Sequence, residues 1–353
     1  MTLHVFNPEH DLAMGANLAN FTPPLAARRL RMGLGFIPAL WAVDGDAVLV
    51  DDVELARSNL NEVLTALSRP APRVHFVTTA DLCGMSPQSV SPWGWDRAVC
   101  HRLLRHGVRP SSCPTEDYID AVRSLSHRRT AAMLLPALQQ EGTVGMAREC
   151  TSAAQISAMA EALGHVVVKA PWSSSGRGVR IMHAGEEGGS LMGWIKNMLN
   201  QQGCLMVEPY YKKVKDFGME FFSDGRGGIT YLGLSLFEAE GSAYTGNMLA
   251  SESVKSAAIT ACLPGGLLDS VRARIQQSLA VGIGEAYTGP FGIDMMVVEG
   301  NAGTGFLLHP CVEINLRRTM GHVALSLTPA DENAVMTMRI AAGNNCKLKI
   351  QSL

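Results

Sequence analysis

The sequence predicts a mixed α/β protein built from more than one lobe, and three observations carry that prediction. The chain is 353 residues long, more than one ordinary domain needs. Apolar, β-branched runs alternate with amphipathic helical runs, with no internal repeat and no low-complexity linker. One such run, HVVVKAPWSSSGRGVRIM (His165 to Met182), reads as a buried strand that delivers a lysine into a loop with almost no side-chain bulk.

The elements follow in order. LHVFN (Leu3 to Asn7) is a strand stopped by Pro8, and LAARRLRMG (Leu25 to Gly33) a short helix. FIPALWAV and DAVLVDD (Phe36 to Asp52) are strand-like, VELARSNLNEVLTALS is an amphipathic helix, and RVHFVTT is another strand. This order predicts an open N-terminal α/β lobe over 1–115. EDYIDAVRSLSHRRTAAMLLPALQQ and TSAAQISAMAEALG make 116–163 mainly helical, and a second α/β alternation fills the rest.

Composition excludes several function classes. With 47% hydrophobic and 18% charged residues and a net charge of −2, the chain lacks the basic surface of a nucleic-acid or anionic-membrane binder. No apolar run approaches membrane-span length and MTLHVFNPEHD has no signal-like character, so a soluble, cytoplasmic protein is expected. The eight cysteines form no CxxC pair and no His/Cys cluster, so buried packing thiols are expected. HExxH, GxSxG, Walker and GxGxxG signatures are absent.

Two readings of the lysine-bearing stretch stand on its residues alone. Ser173 to Gly178 can leave backbone N–H groups open to a polyanion, with Lys169 and Arg177 supplying charge, or the stretch is a hairpin with a polar turn. Three later segments bear on the choice. CLMVEPYYKKVKDFGMEFF (Cys204 to Phe222) is an apolar strand ending in Glu208, followed by an aromatic, basic run to Asp216. GPFGIDMMVV and FLLHPCVEINLRR are two strands, the first carrying Asp294. The second carries Glu313 and Asn315 two residues apart, hence on one face. Two carboxylates and an amide oxygen make a hard, incomplete oxygen shell suited to Mg²⁺ on nucleotide phosphates. Taken singly, Asp294 and Glu313 also suit an exposed edge hairpin.

VVVKAP, MVEPYY, FGID and VEIN, in this order, resemble the motifs of the ATP-grasp superfamily from about Ser126 onward. The resemblance implies an ATP-grasp fold preceded by an α/β pre-ATP-grasp lobe. Within 116–353 it implies a helical segment 116–163, a small lid subdomain at about 164–208 and a metal-binding subdomain at about 209–353. It implies ATP contacts from Lys169, from the loop residues Ser173, Ser174, Ser175, Gly176 and Gly178, from the hinge residues Glu208, Pro209, Tyr210 and Tyr211, and from Asp216, with Glu220 as the alternative, at the ribose. The usual phosphate-binding lysine at a helix start is replaced by Arg129 or Arg128. Asp294, Glu313 and Asn315 would hold Mg²⁺, with Mn²⁺ as a substitute ion. Arg317 and Lys169 would stabilise the transferring phosphoryl group, since Gly292 stands where some ligases carry an arginine.

The reaction so implied is ligation of a small-molecule carboxylate to an amine through an acylphosphate. A kinase-like enzyme that stops at phosphorylation, and an ATP-binding regulatory protein, are the alternatives; a homo-oligomer is compatible with all three. Three polar clusters are candidates for substrate: NPEHD with Asn7, His10 and Asp11 beyond the first strand, PWGWD (Pro92 to Asp96), and AYTGN with Tyr244 and Asn247. Each also reads as turn, cap or seam residues.

Overall fold

A computed structural model of the chain describes residues 1–173, 178–186, 188–240, 243–300, 305–341, 343 and 345–352. Strands β1 (Thr2–Val5), β2 (Ala47–Leu49), β3 (His75–Val77) and β4 (Ser89–Pro92) form a parallel sheet in the order β3-β2-β1-β4. Helices α1 (His10–Ala16), α2 (Leu25–Leu34), α3 (Val53–Ala66) and α4 (Arg97–Arg105) complete this lobe. Covering both faces of a parallel sheet requires apolar strands, and Leu3, Val5, Ala47, Val48 and Leu49 are all buried. The run from Phe36 to Val43, expected as a strand, is instead a turn of 3-10 helix at Ile37–Leu40. Pro38 fixes φ and supplies no N–H for a ladder, and a short continuous apolar run looks the same in either conformation.

Helices α5 (Glu116–Leu125) and α6 (Arg129–Leu138) are separated by Ser126–Arg128 and lead into a second unit. That unit holds β5 (Arg148–Cys150), α7 (Ala153–Leu163), β6 (His165–Lys169), β7 (Val179–His183), α8 (Gly189–Gln202) and β8 (Leu205–Pro209). Its antiparallel sheet has the order β5-β8-β6-β7. It therefore begins before the expected start near 164, because Arg148–Cys150, within the segment read as helical, pairs with β8.

The third sheet contains, among the described residues, seven strands in the order β13-β12-β9-β10-β11-β14-β15. These are β9 (Lys213–Asp224), β10 (Ile229–Glu240), β11 (Ala243–Leu249), β12 (Thr288–Glu299), β13 (Phe306–Asn315), β14 (Met336–Ala341) and β15 (Lys347–Ser352). Helices α9 (Glu252–Thr260), α10 (Leu267–Ala280) and α11 (Ile283–Ala286) follow β11, and α12 (Met320–Ser326) follows β13. Asp216, expected beyond a hinge segment, lies inside β9, and AYTGN forms most of β11 rather than a loop.

The C-terminal hairpin β14–β15 returns to the N-terminal lobe. Leu34, Val48 and Leu60 share one core with Leu249, Met338 and Leu348. Gly33 of α2 lies so close to the Cys346 backbone that a Cβ there would collide with its carbonyl. The chain is thus closed on itself across the expected boundary at 115. All eight cysteines are free; Cys100, Cys150, Cys204 and Cys311 are buried, whereas Cys83 is exposed, contrary to the expectation of uniformly buried thiols. Among the described residues no helix is long and apolar enough to cross a membrane.

Two of the polar clusters meet at the carboxyl edge of the first sheet. Asp96 accepts from Val99 N at 2.8 Å, capping α4, from Asn7 Nδ2 at 3.0 Å, and lies 3.1 Å from His10 Nδ1. Asn7 Nδ2 also donates to Gly94 O at 2.8 Å, and all three side chains are buried. NPEHD and PWGWD are therefore each other's partners, which accounts for Asn7 and His10 without a ligand. Removing the shared acceptor strands a helix cap and two buried polar groups at once. Asp96→Ala is expected to lower stability by about 2–4 kcal/mol. Urea unfolding would measure this, and a loss no larger than that of a surface substitution would contradict the network.

Candidate functional site

A cleft of about 730 Å³ opens where the three sheets meet. Its upper wall comes from the sheet of β5–β8. Lys169 closes β6, and Ala170 N donates to Gly178 O at 2.8 Å, so the ends of the intervening loop are tied together. A Cβ on Gly178 would collide with the Ser173 side chain, which explains glycine at that closure. Ser174, Ser175, Gly176 and Arg177 lie outside the described residues. Lys169 Nζ donates to Glu208 Oε2 at 2.5 Å, both side chains being buried. The pair is set by register, since Val167 of β6 lies opposite Glu208 and Lys169 opposite Met206 on β8.

The hinge after β8 supplies Pro209, Tyr210 and Tyr211 to the cleft. Tyr210 is largely exposed and leans on His165 at 4.8 Å between ring centroids, whereas Tyr211 packs edge-on to buried His309 at 5.5 Å. Burial and then the Lys169 charge push His309 down to about 3, so it is a neutral packing ring. Asp216 also lines the cleft, 2.5 Å from Lys213 Nζ. Burial raises its pKa against the opposing pull of that lysine.

The floor is the third sheet, and its register does the positioning. Asp294 on β12 lies directly opposite Glu313 on β13; Gly292, two residues earlier, lies opposite Asn315 on one side and Glu220 of β9 on the other. Paired residues share a face, so three carboxylates and one amide project together. Asn315 Nδ2 donates to Asp294 Oδ2 at 3.1 Å. Glu220, assigned from the sequence as an alternative at the ribose, instead belongs to this acidic group. It accepts from Thr319 Oγ1 at 2.8 Å and lies 3.0 Å from His322 Nδ1. A Cβ on Gly292 would sit 2.6 Å from Glu220 Oε2, and one on Gly321 would overlap Oε1.

Positive charge reaches the floor from two sides. Arg128, just before α6, grips Glu313 with Nη2 at 2.8 and 2.9 Å, and its Nη1 donates to Ser173 Oγ at 2.8 Å and to Ala170 O. Arg129, preferred from the sequence as the phosphate contact, turns away to Glu149 at 2.7 Å and does not line the cleft. The break between α5 and α6 puts successive residues on different sides, so Arg128 takes the inward place. Arg317 donates from Nε and Nη2 to Asp11 at 2.8 and 2.7 Å, and from Nη2 to Asn315 Oδ1 at 2.9 Å. Burial opposes ionisation of Asp11, yet the Arg317 charge and hydrogen bond outweigh it and hold the carboxyl below its usual range. Arg318 points elsewhere, lying over the Trp41 ring at 4.2 Å.

Of the substrate candidates, Asp11, Tyr244 and Asn247 line the cleft, while Asn7 and His10 are committed to Asp96 and do not. Tyr244 OH donates to Asn247 Oδ1, and Asn247 Nδ2 donates to Leu236 O at 3.2 Å. Thr319 and His322 were not singled out from the sequence. The signal was present as Thr-x-x-His at a helix start, where the two form a capping box on α12.

Among the acids of the floor, Asp294 is strongly perturbed. Desolvation, then the neighbouring charges of Glu313 and Glu220, push it up to about 7. Buried like charges of this kind are short of a cation. The donors are carboxylate and amide oxygens only, the set that suits Mg²⁺, so the residues present fit that ion.

No protein-family model and no curated protein matches the sequence. Solved structures do match the fold. N5-carboxyaminoimidazole synthetase from Staphylococcus aureus superposes with a TM-score of 0.50 at 12% identity, over 98% of this chain and 83% of that one. Biotin carboxylase from Campylobacter jejuni, in its β,γ-ATP complex, superposes with a TM-score of 0.51 at 13% identity, over 96% and 75%. At such identities likeness speaks for architecture alone, and on that footing the chain has the ATP-grasp fold, with an α/β lobe in front of it.

Proposed function

We propose that this protein is an ATP- and Mg²⁺-dependent ligase that activates a small-molecule carboxylate as an acylphosphate and transfers the acyl group to an amine. The observation carrying the proposal is convergence. Lys169 with Glu208 on the lid sheet, the acidic group with Asn315 on the floor, and Arg317 at its end all face one cleft. The similar biotin carboxylase was solved as an ATP complex, which supports nucleotide in this chain's cleft as well.

In the proposed reaction Lys169 and Ser173 hold phosphate oxygens, and the hinge from Glu208 to Tyr211 holds the base. Asp216 takes the ribose. Asp294, Glu313 and Asn315 would hold Mg²⁺, which would neutralise phosphate charge as it develops. Arg128 keeps the Glu313 carboxylate in its plane through the two-pronged contact. Arg317 holds the substrate carboxylate beside the γ-phosphate. A carboxylate oxygen forms a bond to the γ-phosphorus as the bond to ADP breaks. The amine nitrogen then attacks the acyl carbon, phosphate leaves, and the nitrogen loses a proton. Positioning and charge neutralisation are what phosphoryl transfer asks of a protein, and these residues supply both.

Incubating the protein with Mg-ATP, pooled carboxylates and hydroxylamine is expected to give ADP and hydroxamate together, both dependent on the acid. A stable phosphorylated metabolite with no hydroxamate would replace the ligase reading with a kinase-like one. Lys169→Ala is expected to weaken ATP binding by about 10- to 100-fold, the value of a charge-assisted phosphate contact. Because it also leaves Glu208 buried and unpaired, the double variant Lys169→Ala/Glu208→Gln should recover stability without recovering affinity; calorimetry and thermal unfolding separate the two.

The Asp294 value of about 7 gives a pH dependence with a definite sign. Below it the carboxyl is protonated and an incoming cation must displace the proton; well above it there is none to displace. Mg²⁺ affinity should therefore rise between about pH 6 and 8, with release of about one proton near pH 6.5. Calorimetry in buffers of different ionisation enthalpy reads this directly, and zero protons released would remove Asp294 from the site. Glu313→Gln should abolish Mg²⁺-dependent turnover while leaving the fold intact by circular dichroism.

A further inference from the structure

The wall that the N-terminal lobe gives to the cleft differs in chemistry from the rest. Phe6 at the end of β1, Leu30 and Leu34 on α2, and Trp93 after β4 line it, and Met320 and Ile340 from the third-sheet side also line the cleft. Phe6 and Trp93 meet edge-on, with centroids 5.0 Å apart and planes at 88°, and both are buried, so this surface is preformed. Among the described residues that the N-terminal lobe contributes to the cleft, Asp11 is the one with a charge. It is held by Arg317 in the two-pronged contact already described. The other cationic residues lining the cleft stand elsewhere: Lys169 on the lid, Arg128 against Glu313, Lys212 and Lys213 after the hinge.

We propose that this wall binds an α-amino acid with an apolar side chain, which serves as the carboxylate substrate; the inference rests on the ligase reading above. An ion pair presenting both signs to a cleft matches a zwitterion. The α-carboxylate accepts from the Arg317 guanidinium, the α-ammonium donates to the Asp11 carboxylate, and neither protein charge is left unpaired when the pair opens. The side chain then lies against Leu30, Trp93 and Met320, where apolar area is removed from water. A phosphorylated or dicarboxylic substrate would bring a second negative charge to a wall with no second cation. A carboxylate lacking the amine would take Arg317 and leave Asp11 desolvated and alone.

The test uses the full chain with Mg-ATP and hydroxylamine. The acids are leucine, phenylalanine, methionine, glutamate, lysine, phosphoserine and 4-methylpentanoate, and binding is followed in parallel by tryptophan fluorescence and calorimetry. The three apolar amino acids are expected to exceed the polar ones in kcat/KM by about tenfold or more, and 4-methylpentanoate to bind about tenfold more weakly than leucine. Asp11→Asn should shrink that last difference, a change that loss of packing would not produce, and Leu30→Arg should raise KM for leucine and improve glutamate. Hydroxamate formed only from glutamate or phosphoserine would overturn the apolar side-chain assignment, and hydroxamate formed only from 4-methylpentanoate the amino-acid assignment, each while leaving the ligase reading in place. Leucine binding without any hydroxamate would sink the ligase reading and keep the pocket. Absence of both would overturn both.

Discussion

Three carboxylates on one face of a sheet, in adjacent register, repel one another, and the surrounding structure is organised by the need to answer that repulsion. At about 4 Å and an effective dielectric near 20, two like charges cost about 4 kcal/mol. Each acid is therefore met by a group from a different part of the chain. Arg128, from the break between α5 and α6, holds Glu313; Thr319 and His322, from the cap of α12, meet Glu220; Asn315 reaches Asp294. The Asn315 amide oxygen is in turn engaged by Arg317, whose other partner is Asp11 in the N-terminal lobe. Charge thus joins the β5–β8 sheet, the floor and the N-terminal lobe, the last two of which also share a core. Asp294 is left under-compensated, and that is the position where a divalent cation fits.

The same crowding explains two glycines and the absence of an arginine at position 292. Gly292 and Gly321 have no room for a Cβ because the Glu220 carboxylate lies against both backbones. An arginine at 292 could not be built with Glu220 in this place. Positive charge is delivered instead from beyond the end of β13, by Arg317, and the acid at 220 takes the space. Substituting one residue of this set without the others would leave either a clash or an unpaired charge, so Glu220, Gly292 and Arg317 form one arrangement.

Much of this was legible in the sequence because the signals were local. Lys169 at a strand end, Glu313 and Asn315 two apart on one strand, and the helices α2, α3 and α7 follow from alternation and periodicity. What was not legible depended on register or on which side of a short break a residue falls. Nothing in HRRT distinguishes Arg128 from Arg129 until the kink at Ser126–Arg128 turns one inward. Glu220 reads as a strand acid, and only the pairing of β9 with β12 sets it beside Asp294. NPEHD and PWGWD look like ligand loops for the reason that makes them mutual partners: each offers polar groups at a strand's carboxyl edge, and sequence cannot say that they face each other. Phe36 to Val43 failed differently, since a continuous apolar run has no polar phase from which to read a period.

The two ion pairs in the cleft have a common logic. Lys169–Glu208 and Arg317–Asp11 are both largely withdrawn from water, and buried pairs of this kind contribute little net stability over apolar packing of the same volume. Their value lies in what happens when a ligand arrives. Lys169 and Arg317 are fixed in direction by a partner that can itself be engaged: Glu208 sits at the hinge, where the base would lie, and Asp11 sits on the apolar wall. A phosphate or carboxylate meets a cation that is already desolvated and oriented, and most of the cost of ordering it has been met in folding. Each acid then needs a new donor, so a ligand that supplies an anion without a donor leaves a buried carboxylate unpaired. Pairing these two cations inside the protein rather than exposing them to solvent would therefore favour ligands that carry both functions.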